Sequence, residues 1–283
     1  MKIRQAFFAN QGWYPADEST CRQVIDEYLA DFPGTPRGTR AGVVPHAGWI
    51  YSGRTAAKTF AALSDCKPRV VFVFGGHMHP GERCVCMPRD AFATPLGELP
   101  VDEKLAADLV SRFDCRTESS DDFQPDNTIE LQLPFIKAVW PAARVVAVQV
   151  PPDDTAAEVG AWAARESKAR SIDAVAIGSS DLTHYGANYG FQPQGSGGAA
   201  HAWSKEKNDR PFIDKLLAAD WRGAIEHALA NHSACCPGAA AAAVSFAADM
   251  GIEAGKLIEH TTSHEVGGRG TPSMWVGYAA IVY

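Results

Sequence analysis

The sequence predicts an α/β fold, a three-layer α/β/α sandwich around a largely parallel or mixed central sheet. Two observations predict it. Short, β-branched apolar runs bounded by Gly and Pro recur along the chain, and segments of helix length alternate with them. Continuous apolar runs suit strands covered on both faces. Strands that alternate with helices suit a largely parallel sheet between helical layers. The 283 residues fit a single domain, residues 1–283, with a sizeable core.

Arg40–Pro45 (RAGVVP) is the first such strand, and the helix Ser52–Leu63 follows it. Arg69–Phe74 (RVVFVF) is the second, leading into a loop over Gly75–Pro100 and a helix over Val101–Phe113. A helix over Thr128–Val139 precedes the strand Arg144–Val150, and a helix over Ala156–Lys168 precedes the strand Asp173–Ile177. Gly186–Ala202 is too rich in Gly and polar residues for core, and reads as a lid or an insertion. Helices over Asp209–Ala219, Trp221–Asn231 and Ala239–Met250 come next. The alanine run Ala239–Ala243 favours helix and allows close approach to a sheet. Leu257–Thr261 and Met274–Tyr283 are the closing strands.

Composition removes several classes of function. A formal net charge of −7 gives no global attraction to phosphate backbones, so a nucleic-acid partner is not expected. No apolar run reaches the ~18 residues of a membrane span. The N-terminal MKIRQAFFANQGWYP lacks the apolar stretch and cleavage site of a leader, which reads as a cytoplasmic protein. A homo-oligomer is compatible with all of this. Seven cysteines, two of them adjacent, read as reduced thiols rather than a disulfide framework.

In open α/β sheets, ligands bind beyond the carboxyl ends of the strands. Histidines fall there after three strands: His46 after RAGVVP, His77 and His79 after RVVFVF, and His184 after DAVAI, with Asp181 just before it. One strand-end histidine is ordinarily a packing or capping residue. Three that converge on one crevice make a metal pocket, since neutral imidazole is the commonest metal ligand. His77 and His79 point the same way if their segment is extended, and a turn after Gly75-Gly76 separates them. Cys84 and Cys86 alternate with Val85 and Met87 and read as small buried hydrophobes. Cys235 and Cys236 precede a helix, where a lowered thiol pKa suits either a metal ligand or a nucleophile. Asp181 also fits a capping role, and Glu130 sits where a helix start favours negative charge. His201, His227, His232, His260 and His264 read as surface or core, with His232 nearest in sequence to Cys235. The chain carries no P-loop, dinucleotide-binding glycine fingerprint, H-E-x-x-H or nucleophile elbow.

Taken together and in order, PHAGWIYSG, GGHMHP, DNTIELQLPF, GSSDLTHYG and NHSACCPG resemble the Memo family from Pro45 to about Gly238. MWVGYAAIVY is similar to that family's closing strand. The resemblance implies a fold like that of class III extradiol dioxygenases, which hold Fe(II) with two histidines and a glutamate and use a further histidine as acid/base. It implies His46, His79 and Cys235 as metal ligands, the cysteine standing where the dioxygenases place glutamate. It implies Asp181 and His184 as the catalytic pair. The chain departs from the pattern at Asn127, where the family usually has histidine, and at GGHMH, where it usually reads G-P-[ST]-H-H. The Gly186–Ala202 loop is not part of the pattern.

The function expected is thus a non-haem Fe(II) dioxygenase acting with O2 on a small, catechol-like aromatic substrate. The alternative is an iron- or copper-binding protein for redox or metal handling, without ring cleavage. A zinc-dependent hydrolase, with Asp181 or Glu130 activating water, is a third and lesser option.

Overall fold

The computed structural model describes residues 1–32, 38–122 and 124–283. Its strands, in chain order, are β1 (Ile3–Arg4), β2 (Ala41–Val44), β3 (Val70–Gly75), β4 (Val85–Cys86), β5 (Ala91–Thr94) and β6 (Gly97–Pro100). They continue with β7 (Arg116–Thr117), β8 (Arg144–Gln149), β9 (Ala174–Ser179), β10 (His184–Tyr185), β11 (Lys256–Thr262) and β12 (Trp275–Val282).

The four apolar runs lie side by side as β2-β9-β3-β8, every pair parallel. Both flanks turn antiparallel. On one side β12 pairs with β2 and carries β10 and β11. On the other, β4 runs antiparallel to β8 and β7 extends it. The sheet is therefore mixed, with a parallel centre, and β1, β5 and β6 form a separate small sheet.

Two glycines show that helices cover both faces. Successive residues of a strand point to opposite sides, and Gly42 and Gly178 lie on opposite faces, because Gly178 pairs with Val43, the residue after Gly42. A Cβ on Gly42 would run into Thr59 of the helix Trp49–Leu63, and one on Gly178 into Ala239 and Ala243 of the helix Pro237–Asp249. The alanines permit the close approach expected of them. Gly160, on the helix Asp154–Ala169, abuts Ala242 in the same way, so this face packs with two layers of small residues and no intervening side chain.

The structure departs from the sequence expectation in several places, among them the helix Glu18–Ala30, which was not expected from the sequence. The Thr128–Val139 helix is broken into Asn127–Glu130 and Leu133–Val139, with Pro134 opening the second piece, because proline lacks the amide that would continue the first. Helix begins inside the expected Gly186–Ala202 loop, at Gly198, and passes through a π-helical turn, Ser204–Asp209, into Arg210–Leu217. The Gly75–Pro100 loop contains β4, β5 and β6. No helix among the described residues is long and apolar enough to cross a membrane.

Candidate metal centre

The parallel register brings the ends of β2, β3 and β9 to one edge of the sheet, and each extends into a chemistry-bearing segment. His46 lies two residues past β2, His77 two past β3, and Asp181 two past β9. The helix Pro237–Asp249 packs beneath these strands and opens at the same edge, with Pro237 in its first turn. Cys235 and Cys236 immediately precede it. An isolated antiparallel bridge between Leu182 and Ala234 and a hydrogen bond from the Cys235 amide to the Asp181 carbonyl (3.2 Å) tie the cysteines to the Asp181 segment.

One donor atom each from His46, His77, Cys235 and Cys236 lies within 4.8 Å of the others. Cys235 Sγ is 3.2 Å from His46 Nε2 and 3.6 Å from Cys236 Sγ. Four donors around a tetrahedral ion, with bonds of ~2.0–2.3 Å, stand about 3.3–3.8 Å apart. The set therefore fits a metal ion with small side-chain adjustment, and imidazole with thiolate is a donor chemistry suited to iron, copper or zinc.

His46 is fixed from behind. Its Nδ1 lies 3.0 Å from Ser179 Oγ, its backbone N–H donates to Asp181 Oδ1 (2.7 Å), and its carbonyl accepts from Asn127 Nδ2. Gln132 donates to both Ser179 Oγ and the Pro45 carbonyl, bracing the same corner. Such outer contacts set the orientation of a ligating imidazole. Ser179 and Gln132 were not singled out from the sequence; their side chains act only through a partner that is distant in the chain.

His184 stands in front of this group. Its Nε2 is buried, has no hydrogen-bond partner among the described residues, and lies 3.6 Å from Asp181 Oδ2. The ring packs edge-on to Tyr189. A buried polar atom that makes no hydrogen bond is costly in a dry protein; here the nearby Asp181 carboxylate offsets part of that cost, and the ring faces the cavity in front of the donor cluster.

Electrostatics couple the four groups. Burial pushes the Cys235 thiol up, but Cys236, His46 and His184 outweigh it and hold the thiol well below its ordinary range, while burial and the neighbouring Cys235 push Cys236 well above. Burial works against the charged form of His46, yet Cys235 and Asp181 raise it to about 9. His184 responds in the same way: burial lowers it, and Asp181 and Cys235 raise it to about 10. Without metal, these interactions favour the thiolate at Cys235 and the protonated imidazoles at His46 and His184.

Placement of the sequence candidates is uneven. His46, Cys235, Asp181 and His184 come together. His79 is not in the donor group; His77 is. Gly76 has φ +97° and the Met78 amide donates back to the Gly76 carbonyl (3.0 Å), so the chain turns between the two histidines and separates them. The His79 amide instead caps on Glu82. Glu130 accepts from the Phe7, Phe8 and Ala9 amides and the Tyr14 hydroxyl, which anchors the N-terminal segment rather than the centre. Cys84 and Cys86 are buried as small hydrophobes.

Two cavities meet at the centre and share His77, His184 and Tyr189. One, of about 690 Å³, reaches His46 and Asp181. The other, of about 510 Å³, reaches Cys235, His79 and His232.

These features define a class of α/β protein with a histidine–cysteine centre at the carboxyl edge of its sheet. The profile of the Memo-like protein family matches residues 4–282, and the chain belongs to that family. A MEMO1 family protein of Pyrococcus abyssi is 32% identical over 99% of both chains. One of Methanopyrus kandleri is 33% identical over 96% of this chain and 95% of its own. Among solved structures, an uncharacterized protein from Escherichia coli K12 covers 86% of this chain and 99% of its own, at 14% identity and a TM-score of 0.44.

Proposed function

We propose that this protein is a non-haem Fe(II)-dependent dioxygenase of the class III extradiol type, acting on a catechol-like aromatic substrate. The observation that carries this reading is the Nε2 of His184, which makes no hydrogen bond among the described residues, lies 3.6 Å from Asp181 Oδ2, and faces the cavity that reaches His46. A metal store needs no acid/base group at its mouth; a ring-cleaving enzyme does.

His46, Cys235 and the adjacent His77 would hold the ion, which would supply open positions for O2 and for a chelating diol. The residues of the chain do the rest. Asp181 holds the His46 backbone with one oxygen and faces His184 with the other. His184 is relieved of one raising charge when the Cys235 sulfur is engaged by a cation, and Nε2 is then free to accept the proton of a substrate hydroxyl and return it later. Both atoms of O2 end in the ring-opened product, so no external reductant is consumed.

A second reading is favoured by the sulfurs. Two cysteines and two histidines within 4.8 Å form a soft donor set suited to Cu(I), as a metal-handling protein would use. One experiment separates the two. The protein is purified anaerobically, its metal content measured, and the Fe(II)-reconstituted form assayed for oxygen uptake with a panel of catechols. Stoichiometric iron with catechol-dependent uptake is the expected result. Tight copper with no uptake across the panel overturns the dioxygenase reading in favour of metal handling.

A further inference from the structure

The larger cavity has a composition that bears on what it admits. Among the described residues, eight large apolar side chains remain exposed, and five of them, Trp13, Ile50, Tyr51, Tyr189 and Met274, line this one cavity. Single exposed hydrophobes scattered over a surface need no explanation, whereas a cluster around a concave site marks a ligand surface. They come from four separate segments: the N-terminal region, the first turn of the helix after His46, the turn after His184, and the approach to β12.

Charge gives a second, independent observation. Among the described residues no lysine or arginine lines the cavity, and the one carboxylate that does is Asp181, at the floor. The floor imidazoles have counter-charges inside the protein: His46 lies against Cys235 (3.2 Å) and His184 against Asp181 (3.6 Å). The remaining polar lining comprises amides and hydroxyls such as Gln11, Asn127 and Ser263, with the imidazoles of His77 and His264. Proteins that take up carboxylates or phosphates supply a fixed cation, most often the bidentate fork of arginine. An anionic ligand would shed its hydration here without that replacement. The overall charge of −7 works in the same direction.

We infer that this chamber is selective for an uncharged, largely apolar aromatic ligand and discriminates against its carboxylate-bearing counterpart. Its volume, about 690 Å³, lies in the range of small-molecule sites and leaves room for a ring carrying an alkyl or second aromatic substituent. Tyr189, edge-on to His184 with ring centroids 5.1 Å apart, sets an aromatic wall beside the acid/base. The inference rests on reading the cavity as the substrate chamber of the proposed dioxygenase.

The test uses chelator-treated, metal-free protein, so that it does not depend on turnover. 4-Methylcatechol and 3,4-dihydroxybenzoate, similar in size and differing in charge, are titrated by calorimetry. The neutral compound is expected to bind at least tenfold more tightly. Equal or tighter binding of the carboxylate, or no binding of either, overturns the inference. Met274→Arg, which places a cation on the wall, is expected to shift the ratio at least tenfold toward the carboxylate. An unmoved ratio likewise overturns it. Neutral selectivity in a protein whose iron-loaded form consumes no oxygen would sink the dioxygenase reading and leave the chamber's selectivity standing. Oxygen uptake greatest with the carboxylate would do the reverse.

Discussion

Cys235 Sγ lies 3.2 Å from Nε2 of His46, although one precedes a helix in the last quarter of the chain and the other follows the first strand of the parallel core. The contact exists because a buried helix of small residues sets the cysteine under the ends of three parallel strands.

Against the effect of burial, Cys236, that contact and His184 hold the Cys235 thiol well below its ordinary range in the metal-free protein. A thiol whose pKa is lowered stays ionised below the ordinary thiol range of ~8.5, and takes up its proton only as pH falls through the lowered value. Iodoacetamide should therefore modify Cys235 at pH 7 at close to its limiting rate, while Cys236, shifted the other way, stays unmodified. His46→Ala should move the modification profile of Cys235 to higher pH. Mass spectrometry of the labelled peptide over a pH series reads both.

The two histidines after β3 predict different metal contents. Removing an outer partner of a ligand typically costs 10–100-fold in affinity, and removing a ligand should cost at least that. His46→Ala and Cys235→Ser should lose metal by roughly 100-fold or more. His77→Ala should follow them, and His79→Ala should stay near wild type. Competition with a chromophoric chelator measures this, and a His79→Ala variant that loses its metal would contradict the placement of His77.

His184→Ala should retain metal and lose turnover by about 10²–10⁴-fold, the usual contribution of a positioned acid/base. Asp181→Asn should be intermediate, because it keeps the acceptor for the His46 amide while removing the charge facing His184. Steady-state oxygen uptake alongside metal analysis distinguishes loss of chemistry from loss of the ion.

Asp209 is a buried carboxylate far from the centre in sequence that holds its backbone. It accepts from both the amide and the hydroxyl of Thr183, between Asp181 and His184, and pairs with His260 at 3.2 Å. Asp209→Ala leaves His260 without its partner and Thr183 without its anchor. A buried donor left without its acceptor costs about 1–3 kcal/mol, so chemical denaturation should show a loss of at least that order.

Gly160→Ala tests the small-residue packing. The added methyl meets the Ala242 carbonyl, which belongs to helix backbone and cannot swing aside. Overpacking of this kind costs about 1–3 kcal/mol, and a lowered midpoint in the same denaturation assay is the expected result.

Much of this was legible in the sequence, for physical reasons that also mark where legibility ends. RVVFVF and DAVAI read as central strands because both their faces are covered, which leaves no polar alternation. His46, His184 and Asp181 were readable because parallel strands must deliver their carboxyl ends to one edge. The antiparallel flanks were not, since Trp275–Val282 is as apolar as the parallel strands and nothing local sets its direction. The choice between His77 and His79 depends on one turn at Gly76, and motif resemblance counts positions along the chain without seeing that turn. The break in Thr128–Val139 was marked by Pro134, whereas the π-helical turn before Arg210 had no local signal.

Separating the donors so widely along the chain has a consequence for the protein's life in a cell. Residues 46, 77 and 235 meet only when the sheet and the alanine helix are assembled, and in the unfolded chain only Cys235 and Cys236 remain neighbours. A cation bound there is a ligand of the native state alone, and at a free concentration a thousandfold above its dissociation constant it adds about 4 kcal/mol to folding. The abundance of this protein would then follow metal supply, with starvation exposing the chain to degradation before any catalytic deficit could be felt.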